Sequence, residues 1–573
     1  MKEKRALKLN WTRYFAVLKG VKLPWLLILG SLVFSVAMMN AEIGVATMTS
    51  DIIDSSQKAI NAGKLISYIT MTALAAAFSI GENYFTRKME ETINLRVRTK
   101  LWMKIMHLPT KYYDEDNGNE LVSRITSDAS APSSLFTTGI SCVVCIVTTV
   151  QAFNQLFEYN KTLAMYSLII IPLTLLFCII FGIWQFKIGV YSTTTMAGSL
   201  GYLAERVRNF RLIKSAVAEK KETIKGNKTF REMYKADFLS WLLVSFYQIS
   251  SSVFEIMFIV IVFVIGGQLI PSGKVTIGDL TGFYMITGIV SLQLMQFFMN
   301  IGSVFGTFGT MKKITQISET APENSDGKDV PETYADIIFD NVVFAYNEES
   351  DVINGLNIII PKGKVTAIIG GNGAGKTTLF KLLARLYEPK NGKIYIGDED
   401  INKYDLNQWR KKFSYVFQDN PLIGGTVREN ITYGLDREVS EEELIEVAKK
   451  ANCYDCIMEK PNGFDEDVGM DGSNFSGGQG QCISIARAML RDADYLLLDE
   501  ATSNLDVMSE ALVTEALNNL MENKTTIMIA HNYGATINAD YIIVMKDGVA
   551  EAAGTPEELL ETNKFYRMFS KTV

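Results

Sequence analysis

The sequence predicts a two-part chain, in which a membrane domain of six α-helices is followed by an α/β domain. Three observations support this prediction. The chain has 573 residues, too many for one domain of ordinary size. Its hydrophobic content of 48% is high for a soluble protein, and the excess lies before residue 310. Beyond that point long apolar runs cease, and short β-branched strands alternate with helices.

The membrane domain is predicted from apolar stretches that can each cross a hydrocarbon core of about 30 Å. They lie at roughly 23–50, 65–86, 134–158, 162–186, 240–270 and 278–308. Several exceed the ~20 residues that one span needs, which predicts helices that continue into water as stalks. We therefore expect a transmembrane domain over residues 23–317.

Loop charge predicts the orientation, because Lys and Arg are retained in the cytoplasm. Residues 87–133 carry eight of these residues and residues 187–237 carry eleven. The alternate loops carry only Lys58, Lys64, Lys161 and Lys274. We expect a multi-pass protein of the cell membrane, with both termini, both long loops and the α/β domain in the cytoplasm.

The segments that flank the membrane domain have their own composition. Residues 10–21 place apolar and aromatic side chains at helical spacing among basic residues, which predicts an amphipathic elbow helix at the membrane surface within residues 1–22. A disordered basic tail is the alternative. Residues 318–334, with two prolines and several acidic or small residues, are predicted to be a linker. The α/β domain then occupies residues 335–573.

A glycine-rich loop with the sequence GGNGAGKTT follows the apolar run 365–369 and precedes a helical segment. This strand, loop and helix order is the context of a phosphate-binding loop, whose amides and helix N-terminus attract phosphate. A chance glycine-rich turn is the alternative. The residues predicted here to bind ATP or GTP are Gly370, Gly371, Asn372, Gly373, Ala374, Gly375, Lys376, Thr377 and Thr378. The Thr377 hydroxyl is a candidate ligand for Mg²⁺.

Further polar residues stand at the ends of apolar strands. Asp499 ends such a strand and is a candidate Mg²⁺ ligand, and Glu500 beside it can deprotonate an attacking water. His531 can donate a hydrogen bond to phosphate, although a buried structural histidine is the alternative. The Gln418 amide can reach both Mg²⁺ and the water. Tyr346 can stack on adenine, unless it is a core aromatic residue of its strand.

In order and spacing, these residues resemble the motif set of ATP-binding-cassette (ABC) proteins. The set also includes FSGGQ at 475–479, YLLLDE at 495–500 and SNLD at 503–506. Six spans ahead of one cassette resemble a half-transporter of the exporter-type fold. The resemblance implies ATP-driven transport by alternating access, hydrolysis with Glu500, His531 and Gln418 as catalytic residues, and ATP with Mg²⁺ as cofactors.

The resemblance also implies a second cassette, because the signature stretch of one chain caps the ATP held by its partner. The signature residues are Ser476, Gly477, Gly478 and Gln479, and Asp506 is implied to contact the partner. A homodimer is favoured as the simpler assembly. A heterodimer stays open because Phe475, Gly480, Cys482, Asn504, Asn532 and Met470 depart from the family pattern.

The tips of the two long basic loops resemble the coupling helices that dock into the cassettes. The first tip matches the family pattern at Pro109, Tyr113, Asp114, Glu120, Leu121, Ser123, Arg124 and Asp128, with Asn119 where glycine is usual. Both residues tolerate a left-handed backbone, so this change is mild.

Polar residues within the spans point to the cargo, because an ionised side chain in a membrane usually faces a cavity. The candidate cavity residues are Glu42, Glu255, Gln248 and Gln296. They favour a cationic or zwitterionic amphiphile, such as a drug, peptide or lipid. Carboxylates that reach the headgroups are the alternative reading.

The function predicted from the sequence is export of such a substrate. Import of a metal chelate and an ATP-gated channel are the alternatives. The net charge of −7 and the six spans exclude an ABC ATPase that acts on nucleic acid.

Overall fold

The chain divides into two compact units in the computed structural model. The first comprises Met1–Leu108 and Asp116–Ala321, and the second comprises Pro109–Glu115 and Pro322–Val573. Within them the structure describes residues 15–56, 62–115, 118–168, 170–271, 273–331, 335–347, 350–418, 421–500 and 507–571. The short segment 109–115 therefore belongs to the second unit, although the chain on both sides of it belongs to the first.

Six long helices build the first unit. They are Trp25–Ser56, Ala62–Ile105, Ala131–Tyr159, Ile170–Arg208, Glu219–Leu269 and Ile277–Glu319. Each predicted span lies mostly within one of them, although the first and fourth predicted spans begin before their helices and the fifth ends one residue beyond its helix. Among the described residues, six helical segments are long and apolar enough to cross a membrane. The prediction of six spans is thus confirmed. The longest helix has 51 residues, which is about 77 Å at 1.5 Å per residue and more than twice a hydrocarbon core.

Short helices connect the long ones. Thr110–Glu115, Gly118–Thr126 and Asp128–Ser130 follow the second long helix, Lys161–Ser167 precedes the fourth, and Phe210–Ser215 joins the fourth to the fifth. The second helix continues well past its apolar part before the chain turns, and the fifth helix begins well before its apolar part. Both polar extensions agree with the predicted stalks.

The first and sixth helices approach closely at the end of the first helix. Asp54 accepts hydrogen bonds there from the Thr276 hydroxyl at 2.6 Å and from the Gly278 amide at 2.8 Å. A methyl group on Gly278 would lie 2.3 Å from the Ser50 carbonyl oxygen. The small residue therefore permits the helix contact, as is common between transmembrane helices.

The N-terminal segment differs from the predicted elbow helix. Of residues 10–21, residues 10–14 lie outside the described part, Phe15–Leu18 form one 3-10 turn, and residues 19–21 are not helical. Gly20, with φ +83°, is in the left-handed region that ends a helix. The Lys100 ammonium donates to the Val17 carbonyl oxygen at 2.8 Å, so this segment is held on the second helix.

Two sheets form the framework of the second unit. The antiparallel sheet has the order β2-β1-β4-β5, with β1 Ile337–Phe344, β2 Ile353–Ile360, β4 Asn391–Ile396 and β5 Glu399–Asp400. The larger sheet has the order β10-β9-β3-β8-β7-β6. Its strands are β3 Val365–Gly370, β6 Phe413–Val416, β7 Tyr495–Asp499, β8 Thr525–Ile529, β9 Tyr541–Lys546 and β10 Val549–Gly554. The five strands from β6 to β9 in this order are parallel, and β10 is an antiparallel edge.

Helices and 3-10 turns complete the second unit. The helices are Lys376–Leu383, Leu406–Lys411, Val427–Ile431, Glu441–Lys450, Tyr454–Met458, Gly477–Arg491, Val507–Met521, Pro556–Thr562 and Lys564–Phe569. The 3-10 turns are Ile401–Lys403, Gly463–Asp465, Met470–Gly472 and Gly534–Thr536. The alternation of parallel strands and helices is the α/β fold that the sequence predicts.

Two main hydrophobic cores stabilise this unit. One contains residues of both sheets and of the helix Lys376–Leu383, with Trp409 and Phe413 fully buried. The other joins the helices between residues 427 and 520 to β6 and β7. Part of the predicted linker also packs here. Glu323 accepts two hydrogen bonds from the Arg410 guanidinium at 2.7 and 2.9 Å, a bidentate geometry that fixes its position.

Candidate functional site

The phosphate-binding loop connects β3 to the helix Lys376–Leu383. Two glycines are required by its conformation. At Gly370, with φ +154°, a methyl group would lie 2.2 Å from the Met545 carbonyl oxygen. At Gly375, with φ +96°, it would lie 2.6 Å from the Ile353 side chain. The loop therefore leads directly into a helix N-terminus, which is the anion-binding geometry expected from the sequence.

Lys376 extends back along this loop. Its ammonium donates to the carbonyl oxygens of Gly370 at 2.9 Å and Gly371 at 3.2 Å. Burial lowers the pKa of Lys376, and the nearby carboxylates of Glu500 and Asp499 act in the opposite direction. The positive charge is thus held inside the loop, at the place where a phosphate chain would enter.

Sheet register places the other polar residues at the same edge. Ile529 of β8 pairs with Ile368 of β3 on one side and with Asp499 of β7 on the other. Since the strands are parallel, their carboxyl ends face one crevice, where ligands bind in open α/β sheets. His531 follows β8 by two residues, and Gln418 follows β6 by two. The fold thereby explains why residues far apart in sequence share one site.

Glu500 is at the centre of this edge. Its backbone has φ +48°, a left-handed conformation that is strained for a residue with a side chain and that clusters at functional sites. Its Oε2 accepts from the Gln418 amide nitrogen at 2.9 Å, and its Oε1 lies 2.5 Å from His531 Nε2. The structure therefore brings together three residues that the sequence predicts to be catalytic.

His531 is held in its neutral form by this environment. Burial lowers its pKa, the Lys376 ammonium lowers it further, and the Glu500 carboxylate acts against both. At neutral pH one ring nitrogen is therefore a donor and the other an acceptor. Contact with Glu500 requires that the proton is on Nε2.

Tyr346 lies two residues after β1 and borders the phosphate-binding loop. Its hydroxyl is 3.2 Å from Thr378 Oγ1. The ring packs edge to face against Phe344 and Tyr387, with centroid distances of 4.9 and 5.2 Å. Tyr346 is partly buried and packs against the first core, so an aromatic ring is fixed beside the loop and also lines a cavity of about 670 Å³.

The signature stretch begins the helix Gly477–Arg491. Ser476 caps it, accepting from the Gln479 amide at 3.3 Å while the Gln479 side chain accepts from the Ser476 amide at 3.0 Å. This reciprocal pair is a capping box. A methyl group on Gly478 would lie 2.6 Å from the Ser509 side chain, so the helix start is closely packed on the following helix.

The signature and the phosphate-binding loop belong to different cores of the same unit. Phe475 is buried in the core of the helices, whereas Ala374 of the loop packs with the two sheets. Asp506, which the resemblance places at the partner interface, lies outside the described residues.

The candidate cargo residues are only partly brought together. Glu42 and Glu255 line one cavity of about 560 Å³ in the first unit, with Met38 and Tyr284. Gln296 instead lines a separate cavity of about 240 Å³, together with Glu82. Gln248 is exposed and lines neither of these two cavities. Helical spacing in the sequence does not show which residues share a cavity, because that depends on how each helix is rotated about its axis.

Two protein-family models match this chain, one in each of its two parts. The model of the ABC transporter transmembrane region matches residues 25–294, and that of the ABC transporter ATP-binding domain matches residues 353–503. The chain belongs to the ABC transporter family. As an ABC transporter, it is a multi-pass membrane protein that binds ATP and couples ATP hydrolysis to transport.

Individual relatives extend over most of this ABC transporter. A Lactococcus lactis protein named as a multidrug resistance ABC transporter ATP-binding and permease protein is 29% identical over 98% of this chain and 96% of its own length. An uncharacterized ABC transporter ATP-binding protein of Bacillus subtilis is 31% identical over 85% of this chain and 81% of its own length. An Aspergillus fumigatus ABC multidrug transporter is 32% identical over 85% of this chain and 62% of its own length.

The structure explains several departures of this ABC transporter from the family pattern. Phe475 and Cys482 are buried in the core of the helices, and a methyl group on Gly480 would contact Leu422 at 3.6 Å. The three unusual residues in and next to the signature stretch therefore change packing inside the unit. Met470, by contrast, is 83% exposed.

The protonation state of His531 provides a direct test of this site. The chain has two histidines, so a His107→Gln background leaves His531 as the single ring signal in an NMR pH titration. We expect its midpoint below 6.5, the ordinary value. Lys376→Met should raise the midpoint, because a neighbouring positive charge is removed, and Glu500→Gln should lower it. A midpoint at or above 6.5, or shifts of the opposite sign, would contradict the described electrostatics.

Proposed function

We propose that this ABC transporter exports amphiphilic compounds, and that cationic ones are preferred. The observation that carries the proposal is the cavity of the first unit that contains both Glu42 and Glu255. Multidrug transport in the names of two relatives supports export of this class. Those names do not favour the importer or the channel that the sequence left open.

In the proposed cycle, ATP is bound by the second unit. The amides of the phosphate-binding loop and the Lys376 ammonium hold the phosphates, and Tyr346 stacks on the adenine. The donor set suits a nucleoside triphosphate because a positive charge, a helix N-terminus and an aromatic ring all border the phosphate-binding loop. Ser476 and the following glycines of a partner chain complete the site from the other side.

The oxygen atoms at this edge also suit Mg²⁺, a hard cation that prefers oxygen ligands. Thr377, Gln418 and Asp499 would hold it. When bound, the ion neutralises charge on the phosphate oxygens. Asp499 is the last residue of β7, and this position at the end of a strand supports its proposed role as a ligand.

Glu500 acts as the general base in the proposed hydrolysis. Its carboxylate takes a proton from the attacking water. The single N–H of neutral His531, which contacts Glu500 in this structure, would turn from Glu500 to donate a hydrogen bond to the γ-phosphate. Gln418 orients the water. A change in its contacts when ATP binds or is hydrolysed would move the loop that follows Gln418. The contacts of Glu500 with Gln418 and His531 bring the three side chains together at one edge of the sheet.

Hydrolysis is linked to transport through the segment 109–115, which belongs to the cassette unit while its covalent neighbours belong to the membrane unit. Closure of two cassettes around ATP would thereby act on the second and third long helices. Transport then follows alternating access, and hydrolysis resets the pair. The membrane is proposed to be the cell membrane, with the cassette in the cytoplasm.

The proposed partner is a second copy of this chain. The signature departures Phe475, Gly480 and Cys482 lie within a core and leave the Ser476 capping box intact. The chain also keeps Glu500 and His531. One chain type can therefore supply both faces of each ATP site, and a closed two-fold dimer needs no other subunit.

Substitution of the general base tests the catalytic part of the proposal. Glu500→Gln keeps the shape of the side chain but removes the base, so kcat for ATP should fall by about 10²–10⁴-fold while ATP still binds. Turnover and equilibrium ATP binding would be measured on the full chain in lipid nanodiscs. Glu522→Gln, an exposed carboxylate of the same unit, is the matched control. Retained turnover in Glu500→Gln would refute this role.

Neutralising the cavity tests the proposed substrate class. Glu42→Gln and Glu255→Gln should each weaken transport of tetraphenylphosphonium roughly tenfold, equivalent to about 1.4 kcal/mol, because an uncompensated cation is costly in the cavity. Transport of an uncharged analogue of the same size should be unchanged. Glu158→Gln, an exposed carboxylate of the third long helix, controls for loss of charge alone. Equal effects on both compounds would rule out charge recognition by this cavity.

A further inference from the structure

Lys381 contacts both Tyr346, beside the phosphate-binding loop, and Asp114, in the segment 109–115. It lies in the helix Lys376–Leu383, beyond the phosphate-binding loop. Its ammonium is 5.1 Å from the ring centroid of Tyr346 and 5.6 Å from that of Tyr387. Both distances are within the range of cation–π attraction. One positive charge therefore holds two aromatic rings that also pack against each other.

The same ammonium faces the segment 109–115. Lys381 Nζ is 3.7 Å from Asp114 Oδ2, and the Tyr387 hydroxyl donates to that same oxygen. Asp114 is thereby held by both a cation and a hydroxyl. The side chains of Lys381 and Asp114 are 32% and 49% exposed, so the ion pair alone is weak, and the aromatic contacts supply the remaining constraint.

The segment also borders the space beside Tyr346. Lys111 lines the cavity of about 670 Å³ to which Tyr346, Asn347 and Lys390 contribute. Tyr346 itself is tied to the phosphate-binding loop through Thr378 Oγ1. A continuous series of contacts thus leads from the loop through Tyr346 and Lys381 to Asp114.

We propose that Lys381 is a positioning residue for the nucleotide base, because its ammonium contacts both the Tyr346 ring and the Asp114 carboxylate. The position of Asp114 thereby determines how firmly Lys381 holds the Tyr346 ring. Displacement of the segment 109–115 removes the carboxylate from Lys381 and loosens the ring. The affinity for the adenine base then depends on the segment whose covalent neighbours are the membrane helices. This inference rests on the proposed stacking of adenine on Tyr346.

Steady-state ATP hydrolysis by the full chain in nanodiscs tests the inference. Lys381→Met removes the charge but keeps the aliphatic stem, and we expect KM for ATP to rise roughly three- to tenfold, the effect of one or two such contacts, with kcat changed less than twofold. Lys381→Arg should restore KM. The inhibition constant of inorganic tripolyphosphate, which has no base, should be the same in all three proteins. Lys403→Met, which removes an exposed ion pair with Glu399, is the control.

A double-mutant cycle separates a link from two independent effects. Asp114→Asn should raise KM for ATP in the natural sequence but have little further effect in Lys381→Met, because the charge through which it acts is gone. Additive effects of the two substitutions would overturn the link between Asp114 and the base. An unchanged KM in Lys381→Met, or an equal weakening of tripolyphosphate binding, would overturn the positioning role.

A third variant distinguishes failure of this inference from failure of the proposed base site. Tyr346→Leu should raise KM for ATP without changing tripolyphosphate inhibition. If it does so while Lys381→Met has no effect, adenine stacking stands and only the role of Lys381 is wrong. If Tyr346→Leu leaves KM unchanged, adenine does not stack on Tyr346 and both assignments fail.

Discussion

The contacts of the Glu500 carboxylate hold together the polar residues at the carboxyl edge of the parallel sheet. One oxygen contacts His531 after β8, the other accepts from Gln418 after β6, and the charge faces Lys376 of the phosphate-binding loop. Three chain segments are thus oriented by one side chain. The left-handed backbone at Glu500 is the strained conformation through which that side chain is directed. Parallel pairing of β7 with β6 and β8 keeps this arrangement in register.

Much of this fold follows from local features of the sequence. Each apolar stretch predicted to be a span lies mostly in one long helix, and the glycines at 370 and 375 are required by backbone conformations that other residues resist. Lys376, Glu500, His531 and Gln418 meet because strand ends and the order of parallel strands bring them to one edge. Motif order therefore predicts the composition of the site, although their catalytic roles remain proposals.

Other features depend on tertiary packing and leave no local signal. Gln248 and Gln296 were expected beside Glu42 and Glu255, but helix rotation places neither in that cavity. Of the predicted elbow helix, the described residues form one 3-10 turn, Phe15–Leu18, which ends before the left-handed Gly20. The contact of Lys381 with Asp114 joins residues separated by more than 250 positions. Periodicity describes one helix at a time, so it cannot predict such contacts.

We propose that two copies of this chain form a complete ATP-hydrolysing transporter. The most direct test of this proposal is to purify the chain alone into lipid nanodiscs and to measure the protein mass per particle together with ATP turnover. We expect two chains per particle and ATP hydrolysis that is stimulated by amphiphilic cations. Particles with two folded chains but no hydrolysis would contradict it, because a different partner would then be needed to complete the ATP sites.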